Sequence, residues 1–172
     1  DQGLYSGDFR ASEHLAQLIT QVAGRAGRAE KPGEVLIQTH HPDHPLLQTL
    51  LHQGYDGFAH AALAEREQAG FPPYRHLVLL RCEAIKPEAG TAFMESAREL
   101  LNEYGNTDIE VFGPLPAPME KRAGRYRLQL ILQSSQRKAL HQALQPWTQS
   151  LSNLKTGNKV RWSVDVDPYD TY

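Results

Sequence analysis

Arg125-Tyr126-Arg127-Leu128-Gln129-Leu130-Ile131-Leu132-Gln133 alternates in side-chain character. Tyr126, Leu128, Leu130 and Leu132 fall on one side, Arg127, Gln129, Ile131 and Gln133 on the other. A period of two predicts a strand with one buried face. His76–Ala84 upstream is also strand-like, residues 108–112 (Asp-Ile-Glu-Val-Phe) read as a second strand, and Val160–Val166 alternates again. Two helical patterns lie between these strands. Phe93, Ala97, Leu100, Leu101 and Tyr104 share one helical face, and Leu140, Leu144, Trp147, Leu151 and Leu154 share another. Pro146 lacks an N–H and predicts a kink or break in the second helix. Residues 113–118, with three prolines and a glycine, predict a turn. The order β-α-β-β-α-β over residues 76–172 predicts a ferredoxin-like split βαβ domain. Its four-stranded antiparallel sheet would carry both helices on one face.

Upstream of residue 76 the rhythm is different. Leu15, Leu18, Ile19 and Val22 follow helical spacing, with Ser12 as a candidate N-cap and Gly24, Gly27, Pro32 and Gly33 as stop signals. Residues 34–39 (Glu-Val-Leu-Ile-Gln-Thr) predict a short buried strand, and residues 40–45 a loop. A helix begins at Leu46, Leu47, Leu50 and Leu51, and a further one carries Tyr55, Phe58, Ala59 and Ala62. Phe71-Pro72-Pro73-Tyr74 cannot continue it, so a boundary is placed there. The resulting division is residues 1–52, a connecting helix and Pro-Pro linker over 53–75, and a terminal domain over 76–172.

The whole chain has 172 residues, 40% hydrophobic and 22% charged, which is ordinary globular composition. Its formal charge of −2 excludes a wholly basic nucleic-acid glove, so any polyanion site must be local. One cysteine, Cys82, excludes a disulfide scaffold and a cysteine-built zinc site within this chain, and mid-strand it reads as a small buried hydrophobe. No apolar run approaches the roughly 20 residues of a membrane helix, and no signal peptide is recognisable. No membrane partner is expected. The chain opens on Asp1-Gln2-Gly3, which is consistent with a fragment.

Two clusters carry chemistry. Gln21-Val22-Ala23-Gly24-Arg25-Ala26-Gly27-Arg28 has the form Q-x-x-G-R-x-G-R. Its arginines can bind phosphate oxygens bidentately, and its glycines let a ligand approach the backbone. The same letters also fit a solvated helix end. The second cluster runs from Lys121 to Lys138, where Lys121, Arg122, Arg125, Arg127, Arg137 and Lys138 meet no Asp or Glu. Four of these surround a turn containing Gly124. They suit phosphate contact, while Tyr126 shares its face with Leu128 and Leu130 and is expected in the core.

The first cluster resembles the last motif of superfamily 2 helicases. The combination with Asp8-Phe9-Arg10-Ala11, residues 33–39, His44-Pro45, Tyr55, Phe58, Glu65-Arg66 and Pro72-Pro73 resembles the PriA family of replication-restart helicases, also called primosomal protein N′. So do Gly113-Pro114, Pro116-Ala117-Pro118, Lys121-Arg122, Arg125-Tyr126-Arg127 and Val164-Asp165-Val166-Asp167-Pro168. The resemblance spans essentially the whole chain. It implies a carboxyl-terminal fragment: the end of a RecA-like helicase lobe over 1–52, then a domain that binds single-stranded and forked DNA. Arg25 and Arg28 would contact the γ-phosphate of ATP, with Gln21 and Gly24 supporting that site. DNA would meet Lys121, Arg122, Arg125 and Arg127. Arg137 would bind the acidic tail of single-stranded DNA-binding protein (SSB), with His141 standing where a glutamine is expected.

Neither G-x-x-x-x-G-K-[ST] nor a D-E-x-H-type motif occurs, so the fragment alone is expected not to hydrolyse ATP. ATP and Mg would belong to the intact helicase. The family's zinc would be held by upstream cysteines that this chain lacks. Other partners implied are further primosome proteins and the rest of the helicase lobes, in a cytoplasmic, nucleoid-associated setting. The apolar faces of Leu15, Leu18 and Ile19 and of Leu46 and Leu50 would normally pack on strands that this chain lacks, so residues 1–52 are expected either to be held by packing against the terminal domain or to be mobile.

Other features carry less. His40, His41 and His44 beside Asp43 are rich in metal-ligating atoms, but Pro42 and Pro45 oppose a closed site, and no metal is expected. Asp165 and Asp167 alternate on one strand without a base or nucleophile. A free-standing RNA-recognition module of the same shape would need aromatic residues on its third strand, where only Tyr126 stands. A protein-interaction scaffold remains the other alternative, and the uncompensated basic turn speaks against it.

Overall fold

Every strand exposes a row of N–H and C=O groups that need a partner strand. The second part of the chain supplies four strands that serve one another. The computed structural model describes residues 1–26, 34–104 and 108–171 and divides into two units, Asp1–Phe71 and Pro72–Tyr172. In the second unit the order is β1 (His76–Ala84), α4 (Pro87–Glu103), β2 (Glu110–Arg122), β3 (Arg125–Ser134), α5 (Arg137–Asn153), a short 3-10 turn and β4 (Val160–Val166). The sheet order is β2-β3-β1-β4, and every pairing is antiparallel. This is the expected split βαβ arrangement.

The register explains the core. Val78, Leu80 and Cys82 of β1 share a face with Leu130 and Leu132 of β3. Phe93, Met94 and Ala97 of α4 and Leu140, Leu144, Trp147 and Leu151 of α5 cover that face. The helices are tied by the Trp147 indole N–H, which donates to the Ala97 carbonyl at 2.8 Å inside the core. Tyr104 and Ser150 join their hydroxyls across the same seam.

Two readings are corrected here. The break allowed for at Pro146 is absent, and α5 continues through that residue. An interior proline costs about 3 kcal/mol, but Trp147 and Leu151 just beyond it are fully buried. Two such side chains contribute roughly 1.5–3 kcal/mol each, enough to carry the helix through. Residues 113–118 are not a turn; they belong to β2, which keeps pairing with β3 around two irregularities, at Phe112/Leu115 and Pro116/Lys121. Pro114 and Pro118 fall within these irregularities, where the regular ladder is interrupted, while Pro116 stays in register opposite Leu128.

The first unit is helical: α1 (Gln2–Tyr5), α2 (Ala11–Ala26) and α3 (Pro45–Ala69). Ser12 is not the N-cap of α2. The Asp8 carboxylate accepts the Arg10 N–H at 3.0 Å and closes the start of that helix. The helices expected around Leu46 and Phe58 adjoin at Gly54, whose φ of 72° and ψ of −170° interrupt α3. That conformation is essentially restricted to glycine. Leu46 and Leu50 find partners inside this unit, packing with Ala16, Phe58 and Ala62. Arg66 of α3 binds Glu13 of α2 at 2.7 Å. Leu18 and Val22 stay exposed.

Residues 34–39 form no strand. Among the described residues this unit holds no second strand to pair with, so no RecA-like sheet forms there. Gly27, Pro32 and Gly33, expected to end α2, lie outside the described residues.

Candidate nucleic-acid interface

The basic turn is built by the tightest connection in the sheet. β2 and β3 are joined by Ala123 and Gly124 alone, with φ of 48° and 77°. Two consecutive positive φ values define a type I′ hairpin, whose twist matches the flanking strands. The register then sets Arg122 directly opposite Arg125, and Lys121 opposite Tyr126. Like charges facing each other across a ladder destabilise it. Neither Arg122 nor Arg125 has an ion-pair partner among the described residues. A hairpin tip that places two unpaired guanidiniums against each other is suited to an anion that neutralises both.

Strand alternation sorts the four expected DNA contacts. Arg122, Arg125 and Arg127 lie on the face away from the helices. Lys121 lies on the other face, its ammonium 4.6 Å from the Tyr126 ring centre. That cation-π contact and the Tyr126 hydroxyl, 3.4 Å away, engage Lys121 within the fold. Tyr126 is half-buried beneath it, at the edge of the core rather than inside. Arg127 leans on Glu83, Nε to Oε1 3.6 Å, with its side chain 14% exposed.

Gln21, Gly24 and Arg25 are exposed near the end of α2. Gln21 and Arg25 are four residues apart, so they share one helical face. Arg25 has no ion pair among the described residues, and nothing stands within 4 Å of a Cβ built on Gly24. Arg28 lies outside the described residues. Arg137 and His141 are both exposed, one turn apart on α5. Arg137 is already paired with Asp167 at 3.1 Å, so an acidic ligand there must displace that carboxylate.

The remaining candidates separate. Asp165 binds Arg81 at 2.6 Å while Asp167 binds Arg137, so the two carboxylates serve different arginines. The rings of His41 and His44 pack against Tyr5, at 4.6 and 5.6 Å between ring centres. Among the described residues, no three His, Cys, Asp or Glu side chains converge on a possible metal position. Cys82 is buried in the core, and burial, aided by the Glu83 charge, pushes its thiol up to about 12. It is no nucleophile there.

Sequence reasoning missed Arg81 and Arg161. Both stand on the face away from the helices, Arg161 directly across from Glu83 and Arg81 across from Ser163. The alternation of β4 placed Arg161 opposite Trp162. Only its pairing with β1 brings it beside Glu83.

Among the described residues no helix is long and apolar enough to cross a membrane. The family model described as "Primosomal protein N C-terminal domain" matches residues 67–169, more than half of the chain. "Replication restart protein PriA" of Haemophilus influenzae is 45% identical over 170 residues, covering 99% of this chain and 23% of that protein. The protein of the same description from Synechocystis is 39% identical over 132 residues, covering 77% of this chain and 16% of its own length. That of Bacillus subtilis is 32% identical over 169 residues, covering 98% and 21%. The chain thus spans less than a quarter of these relatives. The chain belongs to the primosomal protein N C-terminal domain family.

Proposed function

We propose that the chain is the DNA-binding carboxyl-terminal part of an ATP-dependent helicase of replication restart. It binds single-stranded and forked DNA through the β2–β3 hairpin. The observation that carries this is the unneutralised Arg122–Arg125 pair at the hairpin tip, with Arg127 next along the same face. A fold under selection for stability alone has no use for facing like charges, whereas phosphates on a strand would turn that repulsion into attraction.

In the intact helicase, Arg25 and Arg28 are the phosphate-contacting arginines of the ATP site, with Gln21 and Gly24 beside them and Mg held elsewhere. Arg25, exposed at the helix end and without an ion pair among the described residues, supports this role. ATP bound there supplies the free energy of translocation; this chain contributes cationic side chains that stabilise charge on the phosphates. Arg137 with His141 is the place for an acidic peptide such as the SSB tail, in competition with Asp167. Other primosome proteins and the remaining helicase lobes complete the set of partners.

The test is fluorescence anisotropy of a labelled forked DNA at low and moderate salt. Wild type is expected to bind with a salt slope that Arg122→Ala/Arg125→Ala lowers by about 0.7–0.9 per lost phosphate contact. Equal affinity and slope in the variant would remove the hairpin from the interface. In the full-length helicase, Arg25→Ala is expected to reduce ATP turnover by roughly 10³-fold or more. Unchanged turnover would sink its assignment.

A further inference from the structure

The face away from the helices carries a cleft of about 250 Å³ lined by Arg81, Glu83, Arg127, Gln129, Arg161 and Ser163 among others. Three adjacent strands contribute one guanidinium each: Arg127 from β3, Arg81 from β1 and Arg161 from β4. Their states differ. Arg81 is pinned: it donates to the Asp165 carboxylate at 2.6 Å and to the Asp170 carbonyl at 2.9 Å. Arg127 is held by two long contacts, to the Glu83 carboxylate at 3.6 Å and to the Met119 carbonyl at 3.5 Å. Arg161 is exposed and has no ion pair among the described residues.

The pairing places Arg127 and Arg161 on either side of Glu83. One carboxylate therefore faces two guanidiniums and can neutralise only one. Their backbones are two strand spacings apart, roughly 10 Å. Arms reaching inward from both sides can close on one oxyanion between them. The Ser163 hydroxyl and the amide of the buried Gln129 also line the cleft as neutral groups. No aromatic ring of β3 faces this side, so the cleft offers charge and hydrogen bonds without a surface for base stacking.

Arg127 belongs both to this cleft and to the row leading to the hairpin tip. We propose that the cleft is a phosphate subsite for the same DNA strand. That strand, bound at the hairpin by Arg122 and Arg125, crosses the sheet to β4 and places a phosphodiester between Arg127 and Arg161. This rests on the hairpin reading above. Because the contacts are to phosphate, the path is indifferent to base sequence.

The experiment titrates the intact chain with labelled oligodeoxythymidine of roughly 16 and roughly 4 nucleotides. It compares wild type, Arg161→Ala, Arg161→Lys, Glu83→Gln and Arg122→Ala/Arg125→Ala. Arg161 is exposed, and thermal melts of its variants serve to confirm that they fold. Arg161→Ala is expected to weaken the long strand several-fold and lower its salt slope by about 0.7. It should leave the short strand, too short to span hairpin and cleft, nearly unchanged. Arg161→Lys should keep the slope, and Glu83→Gln should strengthen the long strand.

If Arg161→Ala matches wild type on both strands while the hairpin variant loses binding, the cleft proposal fails and the hairpin reading stands. If neither variant weakens binding, both fail. Inorganic phosphate at constant ionic strength separates the sources. Phosphate competing through Arg161 without any effect of Arg161→Ala on the long strand would make the cleft a free-anion site, and overturn the proposal.

Discussion

Cys82 and Arg161 mark opposite limits of what a single residue reveals about itself. Cys82 sits in an apolar alternating run, and its burial followed from that run. Burial holds its thiol well above the ordinary value, at about 12. Folding therefore favours the protonated form. That contribution is complete below the unfolded-state value of 9.0 and declines as pH rises from there toward 12. The denaturation midpoint of wild type should fall between about pH 8 and about pH 10.5 more than that of Cys82→Ala, which lacks the titrating group. Equal losses would show that the thiol does not report folding. Arg161 sits in an alternating run with only Lys159 close by in sequence, and nothing there announces its cleft partners. The arginines clustered in sequence at the hairpin were visible by composition. Arg81 and Arg161, which join Arg127 only through strand pairing, were not.

Elements were legible where period and packing agreed. β1, β3, β4, α4 and α5 all followed from spacing, because each buries the face its pattern announces. Residues 34–39 carry an equally apolar pattern, but a strand is defined by its neighbour, and no neighbour is present among the described residues. Residues 113–118 were misread in the opposite direction: Pro114 and Pro118 sit where the pairing is irregular, and Pro116 is tolerated in register opposite Leu128. The hairpin offers a quantitative check. Gly124 at φ 77° should resist a side chain, so Gly124→Ala is expected to cost about 1 kcal/mol. For a domain of this size that is a fall of about 4–8 °C in Tm. Ala123→Asn at φ 48° should move the Tm upward instead, since asparagine tolerates the left-handed region. A Gly124→Ala variant as stable as wild type would mean that the type I′ turn is not kept in solution.

At the scale of the whole chain, the two units differ in how much they bury. The second has a core running from Val78 and Leu80 through Phe93 to Trp147 and Leu151. The first relies on Ala16, Leu46, Leu50, Phe58 and Ala62, and its α2 leaves Leu18 and Val22 exposed. Local opening free energy follows burial of this kind. Amide exchange over residues 13–26 should therefore be much faster than over β1 and α5. Equal protection in both would contradict it. The family was legible from scattered motifs, since each asks only for residue identity at fixed spacing. The lobe expected for residues 1–52 was not, because a sheet is a property of all its strands together.

The chain contains two tryptophans, Trp147 and Trp162, and both belong to the second unit. Trp147 is wholly enclosed, and Trp162 lies near parallel to Phe93, with 6.0 Å between ring centres. Intrinsic emission excited at the indole band consequently speaks for one unit alone. An unfolding curve followed by that light tracks the sheet and its two helices. The melting of α2 and α3 leaves the colour of the emission unchanged, and only a backbone probe such as circular dichroism registers it.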